Sequence, residues 1–113
     1  MISVTVYRAI FWLLLTAVAL LSIMSLEPLP KVLDWQDKLH HLIAYAVLFW
    51  CLLGAYSEQH RLWTLAISLA VFSGLVEVAQ SYTGHRQAEF MDLLANCTGI
   101  LLVAFWHLLR RGL

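Results

Sequence analysis

Charge is scarce in this chain. Of its 113 residues, 12% are Asp, Glu, Lys or Arg, and seven basic side chains cancel seven acidic ones. A soluble domain carries about 25% charged residues. A balanced charge gives no bulk attraction to nucleic acid or to acidic partners, and no basic stripe is present. Cysteine is scarce too. Cys51 and Cys97 each lie inside an apolar run, poor placement for a disulfide framework or a metal knuckle, so both read as small apolar fillers. There is no Walker loop, dinucleotide fingerprint, internal repeat, low-complexity tract or interdomain linker. The chain reads as one domain, residues 1–113.

Apolar surface is what the sequence has in excess. Hydrophobic residues make up 62% of it and the mean hydropathy is +0.80, against roughly 45–50% apolar residues in a soluble domain. Crossing about 30 Å of hydrocarbon takes about 20 mostly apolar residues in a helix. Four segments come near that length: 7–26 (YRAIFWLLLTAVALLSIMSL), 38–56, 62–82 and 91–109. Pro28 and Pro30 end the first. Its apolar run, Ala9 to Leu26, exceeds a signal-peptide core of about 7–15 residues, and no convincing small-x-small cleavage site precedes Glu27, so it is expected to stay uncleaved. The expected fold is an all-α integral membrane protein, a four-transmembrane-helix bundle. Short connections should make sequential spans antiparallel neighbours.

Basic residues set the expected orientation. Arg8, Arg61, Arg110, Arg111 and the terminal amine fall on one side; Lys31, Lys38 and Arg86 fall on the other. The bias places both termini in the cytoplasm and loops 27–37 and 83–90 outside. Trp12, Trp50, Trp63 and Trp106 fall near cytoplasmic span ends, where an aromatic belt belongs, and Trp35 in an outer loop.

Against this apolar background the polar residues cluster. Stopping the third span before Glu77 leaves 15 uncharged residues from Leu62, which cover only about 22 Å. Glu77 therefore belongs below the headgroups, where a charge needs a partner or a raised pKa. Gln80 follows one turn on. The second span opens with Asp37, Lys38, His40 and His41; Asp37, His41 and Tyr45 form one stripe with Lys38 at its edge. The fourth opens with Asp92, then Asn96 and Gly99, at i, i+4 and i+7. Arg86 stands in the loop between the third and fourth spans. Singly, each has a plain reading: Asp92 as a helix cap, Asp37 as a first-turn acid, Lys38 and Arg86 as snorkelling cations, Asn96 and Gln80 as interhelical hydrogen-bond glue, Gly99 as a close-packing point. Their convergence at one depth is the stronger signal. His40, off the stripe, reads as interfacial, and His60 and His107 carry no assignment.

These motifs resemble those of the VanZ-like family of small bacterial membrane proteins. DKLHHLIAY (37–45) is similar to its Asp-Lys-x-x-His-x-x-x-Tyr, EVAQ (77–80) to its Glu-x-x-Gln, and HRQAEFMDLLANCTG (85–99) to its Arg followed by Asp-x-x-x-Asn-x-x-Gly. The resemblance carries over onto Asp37, Lys38, His41, Tyr45, Glu77, Gln80, Arg86, Asp92, Asn96 and Gly99. Where family members often have a proline before the arginine, this chain reads TGHR. The resemblance implies a multipass protein of the bacterial cytoplasmic membrane, in a family named for a member linked to teicoplanin resistance.

Three functions compete. A module that binds or helps transport an anionic lipid or lipid-linked envelope precursor would use Lys38, Arg86 and the helix N-termini of spans two and four to hold a phosphate. Asp37, Glu77 and Asp92 would brace those cations. Such a short chain would need to form a homo-oligomer to make a transport path. An enzyme acting on a lipid-linked substrate would use His41 as general base with Glu77 or Asp92 as acid or orienter; Ser81 and Tyr82 are nearby but in no recognisable nucleophile elbow. The third possibility is a structural or regulatory subunit whose polar network locks four helices. His41, Glu77 and Asp92 are a conceivable metal set, but with no HExxH-like pair and no cysteine ligand, neither metal nor cofactor is expected.

Overall fold

The computed structural model describes residues 2–24, 36–82 and 90–111, and for Asp37 the backbone alone. Those residues hold helices α1 (Val4–Ile23), α2 (Gln36–Tyr56), α3 (Leu62–Ser81) and α4 (Phe90–Arg110). Each is long and apolar enough to cross a membrane. The first starts three residues before the expected position and ends before residue 26. Its start is set by Ser3, which keeps an extended backbone while its Oγ accepts from the Val6 N–H at 3.2 Å. That is ordinary N-capping, and it overrides the hydropathy boundary. Pro28 and Pro30 lie outside the described residues.

The outer surface is apolar. Leu13, Ile67, Leu75 and Phe105 are each more than 60% exposed. In water such a surface would aggregate; in hydrocarbon it is solvated. Hydroxyls on this surface satisfy themselves. Thr16, Ser68 and Thr98 each donate to the carbonyl four residues back, at 2.7–2.8 Å. No lipid-facing hydroxyl of these three therefore needs water.

Antiparallel pairing of α1 with α2 is fixed at one end by Arg8. Its Nε donates to the Ala55 carbonyl and its Nη2 to Gln59 Oε1, both at 3.1 Å, and its guanidinium lies 4.6 Å over the Tyr56 ring. A cation thus meets the carbonyl end of α2, where the helix dipole is negative. Trp12 adds an N–H donated to the Tyr56 hydroxyl at 3.1 Å. Trp63 and Trp106 stand at this same end, both half-exposed.

Expected neighbours and observed neighbours differ at one seam. Sequential α2 and α3 touch little; the most extensive packing joins α2 to α4, which run parallel. The reason is Gly99. A Cβ there would overlap the Leu42 carbonyl oxygen and stand 3.1 Å from the Ala46 nitrogen. Backbone meets backbone at this point, as small residues permit between membrane helices. Gly54 plays a similar part between α1 and α2, where a Cβ would lie 2.6 Å from the Tyr7 ring. Around these points Tyr45, Leu48, Phe49, Leu69, Ile100 and Ala104 form a core buried to 3% exposure or less.

Candidate functional site

At the end of the bundle opposite Arg8, the start of α2, the close of α3 and the start of α4 meet. The polar residues there form a ladder that descends from the surface. At its top the Lys38 ammonium donates to Asp92 Oδ1 at 2.6 Å. Lys38 remains about one-third exposed and Asp92 far less. One turn deeper, His41 sits between two residues of α4. Its Nε2 is 3.6 Å from Asp92 Oδ2, and its Nδ1 is 3.0 Å from Asn96 Oδ1. Deeper again, Asn96 Nδ2 donates to Ser73 Oγ at 2.7 Å. The Tyr45 hydroxyl lies beside Ser73. Below this rung the chain closes at Gly99.

Helical spacing explains the alignment. Lys38, His41 and Tyr45 recur at i, i+3 and i+7 on α2, while Asp92, Asn96 and Gly99 recur at i, i+4 and i+7 on α4. Two parallel helices with matched polar rows place row against row, and Gly99 sets how close the rows come.

The network also settles a tautomer. Asn96 uses its NH2 group on Ser73, so its carbonyl oxygen faces His41. That oxygen can only accept; His41 Nδ1 therefore carries the hydrogen. In the neutral ring, Nε2 then presents a lone pair toward Asp92.

Glu77 reaches this group from α3. It is only 6% exposed. One oxygen of Glu77, one oxygen of Asp92 and one ring nitrogen of His41 all lie within 4.8 Å of one another. Gln80 turns to a different neighbour. Its Nε2 donates at 2.8 Å to the Ser22 carbonyl, one of the groups that the end of α1 leaves without a helical partner. It thereby ties α1 to α3. Among the described residues no buried side-chain nitrogen or oxygen lacks a partner.

Of the residues expected here, Lys38, His41, Tyr45, Glu77, Asp92 and Asn96 come together. Arg86 and the Asp37 side chain lie outside the described residues. His40 is exposed on the helix surface. Ser73 is the residue that sequence reasoning overlooked, and it is fully buried at the centre of the network. A signal was available: Ser73, Glu77 and Gln80 stand at i, i+4 and i+7 on α3.

Comparison with models of known protein families, with curated proteins and with solved structures finds no match to this chain. Among the described residues the fold and the ladder define a class: a bundle of four helices, each long and apolar enough to cross a membrane, with a polar cluster built from three of them at one end.

Proposed function

We propose that the polar end of the bundle binds the phosphate-bearing headgroup of an anionic lipid or lipid-linked envelope precursor. The single observation that carries this reading is Lys38. Its ammonium stands at the mouth of the ladder, one-third exposed, beside the first turns of both α2 and α4. Two helix starts give positive dipole ends and free N–H groups next to a full positive charge, and phosphate takes all three. Asp92 holds the ammonium in position when no anion is bound. Arg86, in the sequence between α3 and α4, supplies a forked donor of the kind that suits phosphate. The resemblance of DKLHHLIAY, EVAQ and the Arg–Asp–Asn–Gly run to the VanZ-like family supports a cell-envelope role, including the glycopeptide-resistance phenotype for which that family is named. With it goes a bacterial cytoplasmic-membrane location, both termini inside and the ladder facing the extracytoplasmic side.

The test is lipid retention. Purified protein is exposed in detergent to short-chain phosphatidic acid, undecaprenyl phosphate and a zwitterionic lipid, and bound lipid is counted by native mass spectrometry. Wild type is expected to keep the phosphomonoester lipids at least tenfold better than Lys38→Gln or Arg86→Ala. Equal retention by wild type and both variants overturns the reading. Sidedness is tested separately, by labelling a single cysteine placed at Thr83 from outside intact cells.

One observation favours a second reading. His41 is braced at Nδ1 so that Nε2 points at the Asp92 carboxylate, the arrangement of a general base with an orienting partner. In that reading His41 acts as acid or base on a lipid-linked substrate, with Glu77 and Asp92 shaping its charge. Turnover of an isoprenoid-linked phosphate that survives His41→Ala rules it out.

A further inference from the structure

We infer that His41, Glu77 and Asp92 bind one divalent transition-metal ion of the zinc class. The inference does not depend on lipid binding at the same end of the bundle.

Geometry comes first. Ligands held about 2.0–2.2 Å from a tetrahedral zinc lie about 3.3–3.6 Å from each other. His41 Nε2 and Asp92 Oδ2 are 3.6 Å apart. That is beyond an N–H···O hydrogen bond, whose range is about 2.7–3.2 Å. It matches two vertices of one coordination shell. Glu77 supplies the third atom, and the three lie within 4.8 Å of one another. Each comes from a different helix, so the closing of the bundle assembles the set.

Chemistry comes second. A neutral imidazole is a metal ligand only through the nitrogen that lacks hydrogen. Asn96 Oδ1 takes the Nδ1 hydrogen, and the lone pair of Nε2 is left facing the Asp92 carboxylate. A backbone or side-chain oxygen on the far nitrogen is the usual outer support of a ligating histidine. Here that oxygen is itself fixed, because Ser73 holds the other end of the Asn96 amide. One imidazole and two carboxylates select a zinc-class ion over calcium or magnesium, which prefer all-oxygen shells. The fourth position is left for water or a ligand oxygen.

Lys38 opposes the ion. Its ammonium occupies Asp92 Oδ1, on the same carboxylate as the oxygen that faces His41. Two cations on one carboxylate repel. Removing Lys38 should therefore tighten metal binding, whereas it weakens retention of a phosphate lipid. The opposite signs keep the two sites' outcomes apart.

The experiment uses full-length, tag-free protein in phospholipid-free detergent, stripped with EDTA and titrated with Co2+ and Zn2+. Wild type is expected to take up one Zn2+ per chain by elemental analysis after gel filtration. Its Co2+ spectrum should have tetrahedral-type intensity and no thiolate charge-transfer band. Glu77→Gln and His41→Gln should weaken Zn2+ at least a hundredfold, Asn96→Leu about 10–100-fold, and Lys38→Met should strengthen it. Failure of stripped wild type to bind Zn2+ above the level of His41→Gln overturns the proposal. So does a thiolate band, which would move the ion to Cys51 or Cys97. If a ligand variant fails to fold, the wild-type stoichiometry and cobalt spectrum still decide, since both read the unmutated protein.

Discussion

Ser73→Ala removes a single oxygen from the centre of the polar ladder. Ser73 is fully buried, accepts from Asn96 Nδ2 at 2.7 Å and lies beside the Tyr45 hydroxyl. The substitution leaves almost no cavity, so its cost is nearly all polar. Each buried group left without a partner costs about 1–3 kcal/mol in proteins generally. Interhelical hydrogen bonds in membranes average about 0.6 kcal/mol and reach about 1.7. The Asn96 bond is lost and the Tyr45 hydroxyl loses a polar neighbour, so the expected loss is roughly 1–3 kcal/mol. The assay is reversible unfolding in mixed detergent and SDS, followed by helix content. A double-mutant cycle sharpens the test. Tyr45→Phe removes the second hydroxyl, so Ser73→Ala should cost less in that background, by about 0.5–1.5 kcal/mol. A Ser73→Ala protein within 0.3 kcal/mol of wild type, with costs that simply add to Tyr45→Phe, refutes the network as the lock on these helices.

Two glycines should behave oppositely. Gly99→Ala pushes a methyl into the Leu42 carbonyl and should cost about 1–3 kcal/mol or prevent folding. Gly74→Ala meets nothing within 4 Å and should be neutral or stabilising by up to about 1 kcal/mol; thermal stability of the two variants in detergent is the comparison. Arg8→Ala should lower stability by about 1 kcal/mol, and Arg8→Lys should recover only part of it, because a single ammonium cannot reach the Ala55 carbonyl and Gln59 as a fork does; the same unfolding assay reads both. Asp92→Ala should lower stability by about 1 kcal/mol, because it removes the carboxylate that both Lys38 and His41 face, and the same unfolding assay reads it.

Much of the fold was legible because hydropathy and period report the same physics that builds membrane helices. The four spans follow from length against bilayer thickness, and the rows Lys38–His41–Tyr45 and Asp92–Asn96–Gly99 follow from 3.6 residues per turn. The pairing of those rows was only half legible. Polarity placed them at one end, but the parallel α2–α4 seam depends on a backbone contact at Gly99 that no composition reveals. Ser73 was missed because a lone serine in an apolar helix usually bonds its own backbone, as Ser68 does; its register with Glu77 and Gln80 was the available clue. The bonding of His41 to Asn96 rather than to Asp92 alone rests on side-chain geometry that sequence spacing does not carry.

The closest-packed helices of this bundle are also far apart in synthesis. Synthesis completes α2 long before α4 exists, so Lys38 and His41 are made well before Asp92 and Asn96 are there to meet them. Until the final segment arrives, Glu77 of α3 is the acid on hand for that polar edge. A ribosome stalled, or a chain cut, before Asp92 would leave a three-helix stub lacking the parallel partner against which α2 packs most.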